Sequence, residues 1–151
     1  MPITYQQEFL TAIRKELESL LVDHWKEIAL NQDVIKLNPD WDTYEVLEQE
    51  GTLKVFTVRD DKNLIGYFAV FCRPHIHYKD HVFAYNDVVF LKAEYRKAGV
   101  GAELLRFAEK WLKEDKISVL VVNTKRHKPF DSLLENLGYN HTENIYTKLL
   151  R

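Results

Sequence analysis

The chain has 151 residues, 46% hydrophobic and 29% charged, the profile of one compact globular domain with no need of a disulfide or structural metal. Its 21 basic and 23 acidic residues leave a net charge of -2, which disfavours nucleic acid as a partner because there is no excess positive potential to grip a phosphate backbone. No run approaches the roughly 20 apolar residues of a membrane span, and the start lacks a charged leader before an apolar core, so neither membrane insertion nor secretion is expected.

From Gln6 to about Leu30, apolar residues Phe9, Ile13, Leu17, Leu20, Leu21 and Ile28 recur at helical spacing, which predicts one long helix or two short ones broken near Val22 and Asp23. Asn38-Pro39-Asp40 marks a turn, and Trp41 to Gln49 reads as a short helix ended by Gly51. Beyond it the period changes. Leu53 to Val58 and Leu64 to Cys72 are β-forming runs flanking Asp60-Asp61-Lys62-Asn63, an expected antiparallel hairpin. The single Cys72 lies in an apolar run and reads as a small core hydrophobe, in keeping with a reducing, cytoplasmic setting. Arg73 to Asp80 reads as a polar loop and Val82 to Leu91 as a third strand.

Ala98 to Glu114 carries Val100, Leu104, Ala108, Trp111 and Leu112 on one helical stripe, and Ile117 to Val122 is a short apolar strand. Strand, helix and buried strand make a βαβ unit, so the expected class is α/β with a mixed sheet. Phe130 to Leu137 reads as a last helix closed by Gly138, and Tyr139 to Leu150 as one or two closing strands whose edge near Tyr146 could join a homodimer.

The segment Arg96-Lys97-Ala98-Gly99-Val100-Gly101-Ala102 opens the central helix. Two glycines at a helix start let a ligand approach the backbone, and first-turn N–H groups have no partner within the helix. The helix dipole and two cations add favourable potential, so a diphosphate fits such a socket. Neither a P-loop nor the dinucleotide fingerprint matches the spacing. A glycine-softened helix start with a cationic surface is the competing explanation.

Arg96-x-x-Gly99-x-Gly101 after an apolar strand, followed by an amphipathic helix, a buried strand and a helix ending Leu137-Gly138-Tyr139, resembles the GNAT superfamily of N-acetyltransferases over roughly Leu53 to Leu150. The segments Arg73-Pro74-His75-x-His77-Tyr78-Lys79-Asp80 and Asn123-Thr124-Lys125-x-His127-x-Pro129-Phe130 resemble a branch commonly encoded by phages and prophages. The resemblance implies a central mixed sheet flanked by helices, its first strand faint in Ile3-Thr4-Tyr5, and acetyl-coenzyme A as co-substrate. It puts the pyrophosphate on the amides of Lys97, Ala98, Gly99, Val100, Gly101 and Ala102, with Arg96 at the edge. The pantetheine arm would pair with the backbone of Val89, Phe90 and Leu91, with Asn123 and Phe130 also on the cofactor side.

Acetyl transfer needs a neutral amine, yet a lysine-like amine is neutral in only about one molecule in 2,500 at pH 7. Asp87 is the candidate base, because it interrupts an otherwise apolar or aromatic strand and burial would raise its pKa. A structural carboxylate, paired with Arg73 or Lys54 or placed where the strand reaches water, is the alternative. Relatives commonly carry a tyrosine acid four residues before the closing glycine, where this chain has Leu134. His127 is the preferred substitute, ahead of Ser132, Tyr139 or solvent, with a cofactor contact or helix cap as its other roles.

His75, His77 and Tyr85 are candidate acceptor-binding residues, as rings bordering a pocket for an amine-bearing small molecule or a protein amine. Their polarity, with Asp80 and Asp87, points to a polar acceptor. His75, His77 and His81 form too weak a pattern for a metal site, so no metal is expected. Trp25, Trp41 and Tyr44 are packing residues or pocket walls. A mid-strand Cys72 argues against a covalent acetyl-enzyme. Two rival readings stand beside acetyl transfer to an amine: a coenzyme-A-binding regulator or host-interaction protein that lost turnover, and an enzyme acting on a base amine of nucleic acid.

Overall fold

The computed structural model describes residues 2–151. Its centre is a five-stranded sheet in the order β1 (Ile3–Gln7), β2 (Leu53–Asp60), β3 (Asn63–His75), β4 (Tyr78–Leu91) and β5 (Val119–Val121). The first four strands pair antiparallel, and β4 pairs parallel with β5. The parallel pair follows from the crossover helix α3 (Val100–Glu114), which carries the chain from the end of β4 back to the start of β5. The sheet is therefore mixed and flanked by helices on both faces, as the sequence predicts.

Each face has its own core. On one, Phe56, Phe68, Val70 and Ala84 pack against Leu104, Leu105, Ala108 and Leu112 of α3 and Leu134 of α4 (Asp131–Asn136). On the other, Val55, Tyr67, Ala69 and Phe90 pack against Leu10, Ile13, Leu17 and Leu20 of α1 (Leu10–Ile28), with Tyr44 and Leu47 of α2 (Trp41–Gln49) at the margin. Strand β3 divides its side chains between the two by simple alternation, Tyr67 and Ala69 to one side, Phe68 and Val70 to the other.

Polar contacts fix α1 over the sheet. Phe9 offers no side-chain cap, and Glu48 of α2 supplies one by accepting the Leu10 N–H at 2.5 Å. Arg59 of β2, its side chain 12% exposed, makes paired bonds to Glu8 and to Glu16 of α1. A guanidinium so engaged by two carboxylates resists removal, because losing either leaves charge uncompensated in a partly buried place.

Four details differ from the sequence-based expectation. Gln6 and Gln7 belong to β1, so α1 starts only at Leu10; of the two expected arrangements the single long helix forms, unbroken through Val22 and Asp23. The segment from Arg73 to Asp80 is not a loop but the tip of a long β3–β4 hairpin that turns at Ile76 and His77. The hairpin outruns the core, so both of its faces are solvated and its strands carry polar residues that look like a loop. Helix α3 begins at Val100 rather than Ala98, because Ala98 and Gly99 both have positive φ. Finally, residues 139–151 form no strand. Residues 140–144 are polar, and β5 pairs over only three residues, which leaves a short edge to extend. The expected homodimer edge near Tyr146 is accordingly absent as a strand.

Gly66 allows β3 to close on β4. A Cβ there would meet the Phe90 carbonyl oxygen at 2.7 Å and Val58 and Leu91 side chains at 2.9 Å. Gly66→Ala should therefore destabilise the domain by about 2 kcal/mol or more, read from the urea midpoint at pH 7.

Candidate active site

The site begins with an extra residue in β4. Ala69 pairs with Val88 and Val70 with Asn86, so Asp87 has no partner across the β3–β4 ladder and forms a β-bulge. The bulge resets the alternation: Asp87 and Val88 both turn toward α1 and α2, while Val89 and Leu91 pack on the α3 side. On its other edge β4 pairs with β5 only from Phe83 to Tyr85. Past Tyr85 the pairing stops, because β5 ends at Val121, and β4 continues to Leu91 with that edge unpaired. The Asn86 side-chain oxygen takes the Asn123 N–H at 2.6 Å just past this point.

Asp87 lies in a cavity of about 960 Å³ between α1, α2, the sheet and residues 147–151. The Tyr44 hydroxyl donates to its Oδ2 at 2.5 Å. Burial pushes the Asp87 pKa up, and the Tyr44 hydrogen bond works against that rise. The structural alternative, a partnership with Lys54 or Arg73, is not what forms: Lys54 binds Asp115 at 3.1 Å, and Arg73 is exposed on the hairpin. Tyr67 also lines the cavity, and burial, with Asp87 and Tyr44 nearby, raises its pKa. Its hydroxyl is 3.0 Å from Nδ1 of His24, which is 6% exposed and stacks on Phe90 at 5.0 Å. Burial holds His24 down to about 4, so it is neutral at pH 7.

At the start of α3 the chain makes a turn a ligand could enter. Gly99 has φ 78 and nothing within 4 Å of where a Cβ would stand. Ala98, with φ 69, adopts the same left-handed conformation at a cost of about 1–2 kcal/mol. The first helical bond runs from the Glu103 N–H to the Gly99 carbonyl, leaving the amides of Val100, Gly101 and Ala102 without an acceptor in the helix. Lys97 is exposed beside them. Arg96 has another engagement: its Nη atoms bind Glu27 of α1 at 2.5 and 2.7 Å, and its Nε donates to the Leu91 carbonyl at 2.7 Å. It joins the turn to α1.

The remaining sequence candidates are dispersed. His127 Nε2 meets the Ile28 carbonyl at 2.9 Å, closing the C-terminal end of α1, and does not line the Asp87 cavity. Phe130 precedes α4 and packs on the α3-side core. His75 and His77 sit at the hairpin tip among Tyr78 and Phe83, and Tyr85 stacks on Phe83, all outside the cavity lining. His81 is bound to Ser118, and among the described residues no three metal-ligating side chains cluster. Leu134 is core. Cys72 packs on the α3 face, away from Asp87, and burial pushes its thiol up to about 11, so it is a poor nucleophile. No helix among the described residues is long and apolar enough to cross a membrane.

Sequence reasoning missed the roles of His24, Glu27 and Tyr67. His24 had a signal, since it lies seven residues after Leu17 on the buried stripe of α1. Because its folded pKa lies below the unfolded value of about 6.5, its contribution is complete above pH 6.5 and is lost as pH falls toward 4. Wild type should therefore lose about 2 kcal/mol more than His24→Leu between pH 7 and pH 5, measured by urea unfolding.

Residues 14–139 match the model of the Acetyltransferase (GNAT) family. No curated protein matches the chain. Among solved structures, ribosomal-protein-alanine N-acetyltransferase from Brucella melitensis biovar Abortus 2308 superposes with TM-score 0.73 at 20% identity, over 99% of this chain and 100% of that one. An aminoglycoside acetyltransferase from an uncultured soil metagenomic sample gives 0.76 at 14%, with 100% of both chains covered. A predicted acetyltransferase with acetyl-CoA from Clostridium acetobutylicum gives 0.68 at 14%, over 99% of this chain and 97% of that one. The family match spans both the bulge at Asp87, where the edge of β4 becomes unpaired, and the strained glycine turn, and this chain belongs to the GNAT family of acetyltransferases.

Proposed function

We propose that the protein moves the acetyl group of acetyl-coenzyme A to an amine by direct attack within a ternary complex, with Asp87 as the base. The observation that carries this reading is the place of Asp87: the bulged residue of β4, in a largely apolar cavity, next to the point where β4 and β5 separate. Acetyl-coenzyme A supplies the activated thioester. Its diphosphate fits the amides from Lys97 to Ala102, where the strained Ala98–Gly99 turn leaves the backbone open. The edge of β4 that β5 leaves unpaired, at Val89, Phe90 and Leu91, suits the amides of a pantetheine arm, flanked by Asn123 and Phe130.

In the reaction the amine nitrogen bonds to the acetyl carbon, the carbon–sulfur bond breaks, and the amine proton passes to Asp87. A raised pKa suits a carboxylate to that task, while the Tyr44 hydroxyl keeps it ionised enough to accept a proton. The leaving thiolate has the modest basicity of an ordinary thiol and takes its proton from solvent. His127, bonded to Ile28, positions the end of α1 in this scheme. The phage-like wording around His75 and Asn123 supports a phage or prophage source, and the lone Cys72 supports a cytoplasmic one.

Asp87→Asn should lower kcat with an amine acceptor by about 100-fold or more at pH 7 and recover at alkaline pH, where the amine loses its proton unaided. An unchanged pH profile would move the base elsewhere. Tyr44→Phe removes the bond that lowers the Asp87 pKa, so the acidic limb of kcat/KM should move to higher pH. Gly101→Val, where no positive φ is required and an added Cβ meets nothing nearer than 3.6 Å, should abolish acetyl-coenzyme A binding in calorimetry while far-ultraviolet circular dichroism stays the same. Binding without acceptor-dependent thiol release would favour the regulator.

A further inference from the structure

The cavity around Asp87 has a chemistry of its own. Asp87 is the sole acidic residue among those that line it, whereas four basic residues do: Lys36, Lys125, Lys148 and Arg151. Most of the rest is aliphatic or aromatic, including Leu17, Leu21, Trp25, Trp41, Val55 and Ala69. These come from α1, α2 and β2–β3, so the apolar wall is continuous on one side of the carboxylate. Residues 147–151, which pair with no strand, add Lys148, Leu149 and Arg151 to the lining.

An ammonium entering this space finds one carboxylate, with the Tyr44 hydroxyl already bound to it. A second ammonium on the same molecule would find no second acidic side chain in the lining and would lose hydration beside lysine and arginine side chains. Burying an unpaired charge is far costlier than burying the hydrocarbon that an apolar wall accepts. We infer that the acceptor is a primary monoamine on an aliphatic or aryl body, and that polyamines and aminoglycosides are excluded. This rests on the acetyltransferase reading of the same site, and it replaces the polar acceptor expected from the hairpin histidines, which do not line the cavity.

The test is a series of straight-chain amines from butylamine to octylamine, with phenethylamine, spermidine and kanamycin, assayed by thiol release from acetyl-coenzyme A. Each added methylene should raise kcat/KM about fourfold until the cavity is full, at about 0.8 kcal/mol per buried methylene. Octylamine and phenethylamine should exceed spermidine and kanamycin by tenfold or more. Lys36→Glu/Lys148→Glu, which alters two exposed side chains, should raise the spermidine-to-hexylamine ratio about tenfold. A flat response to chain length, or a polycation turned over as well as octylamine, would overturn the inference and leave acetyl transfer intact.

Should no amine release thiol, acetyl transfer fails, and the cavity is judged by binding alone. Trp25 and Trp41 line it, and Trp111, half-exposed on α3, gives a constant background. Saturable quenching of the free protein's fluorescence by octylamine, tightening with chain length and absent with spermidine, supports an apolar monoamine ligand. Its absence overturns one.

Discussion

One surplus residue in β4 organises the molecule. In an unbroken ladder Asp87 and Val88 would point to opposite faces and β4 would lie flush between its neighbours. The bulge turns both side chains toward α1 and α2 and accompanies the early end of β4–β5 pairing, after only three residues. A carboxylate on one face and an open strand edge thus occur at the same point of the chain. The turn before α3 follows soon after that strand, so cavity, open strand edge and amide-rich turn come in order along one stretch of chain from Asp87 to Ala102.

Holding a carboxylate in an apolar chamber is costly, and the fold offsets the cost locally. The Tyr44 hydroxyl satisfies one oxygen, and the buried polar pair His24–Tyr67 lies in the adjoining layer with no charge on the imidazole at neutral pH. Around this weakly solvated centre the charged groups are used as clasps. Arg59 fixes the first half of α1 to β2, and Arg96 fixes its second half to the turn before α3. The helix that roofs the chamber is held at both ends by bidentate guanidinium–carboxylate contacts, whose planar geometry sets orientation as well as distance.

The parts legible in the sequence were those written in local pattern. The stripe of α3, the glycine at the left-handed position before it, and Asp87 as the anomalous residue of its strand all stood out within short windows. The bulge itself leaves no mark, because Asn86-Asp87-Val88 reads the same whether one residue is paired or skipped. Tyr44 and Asp87 are 43 residues apart and Arg96 and Glu27 are 69, so neither contact could be read from spacing. The hairpin reads as a loop because its strands extend beyond anything they could bury. Tyr139 to Leu150 reads as strand because a few apolar side chains suggest pairing, while their polar neighbours and the short β5 edge give that pairing little support.

The two separate cores carry an evolutionary implication. Substitutions at Val55, Tyr67 or Ala69 reshape one side of the sheet, and those at Phe68, Val70 or Leu104 the other, with the β-backbone as a rigid septum between them. Changes at sites that share no neighbours combine almost additively. A lineage can thus reshape one core while the other drifts nearly independently, and laboratory selection could exploit the same modularity.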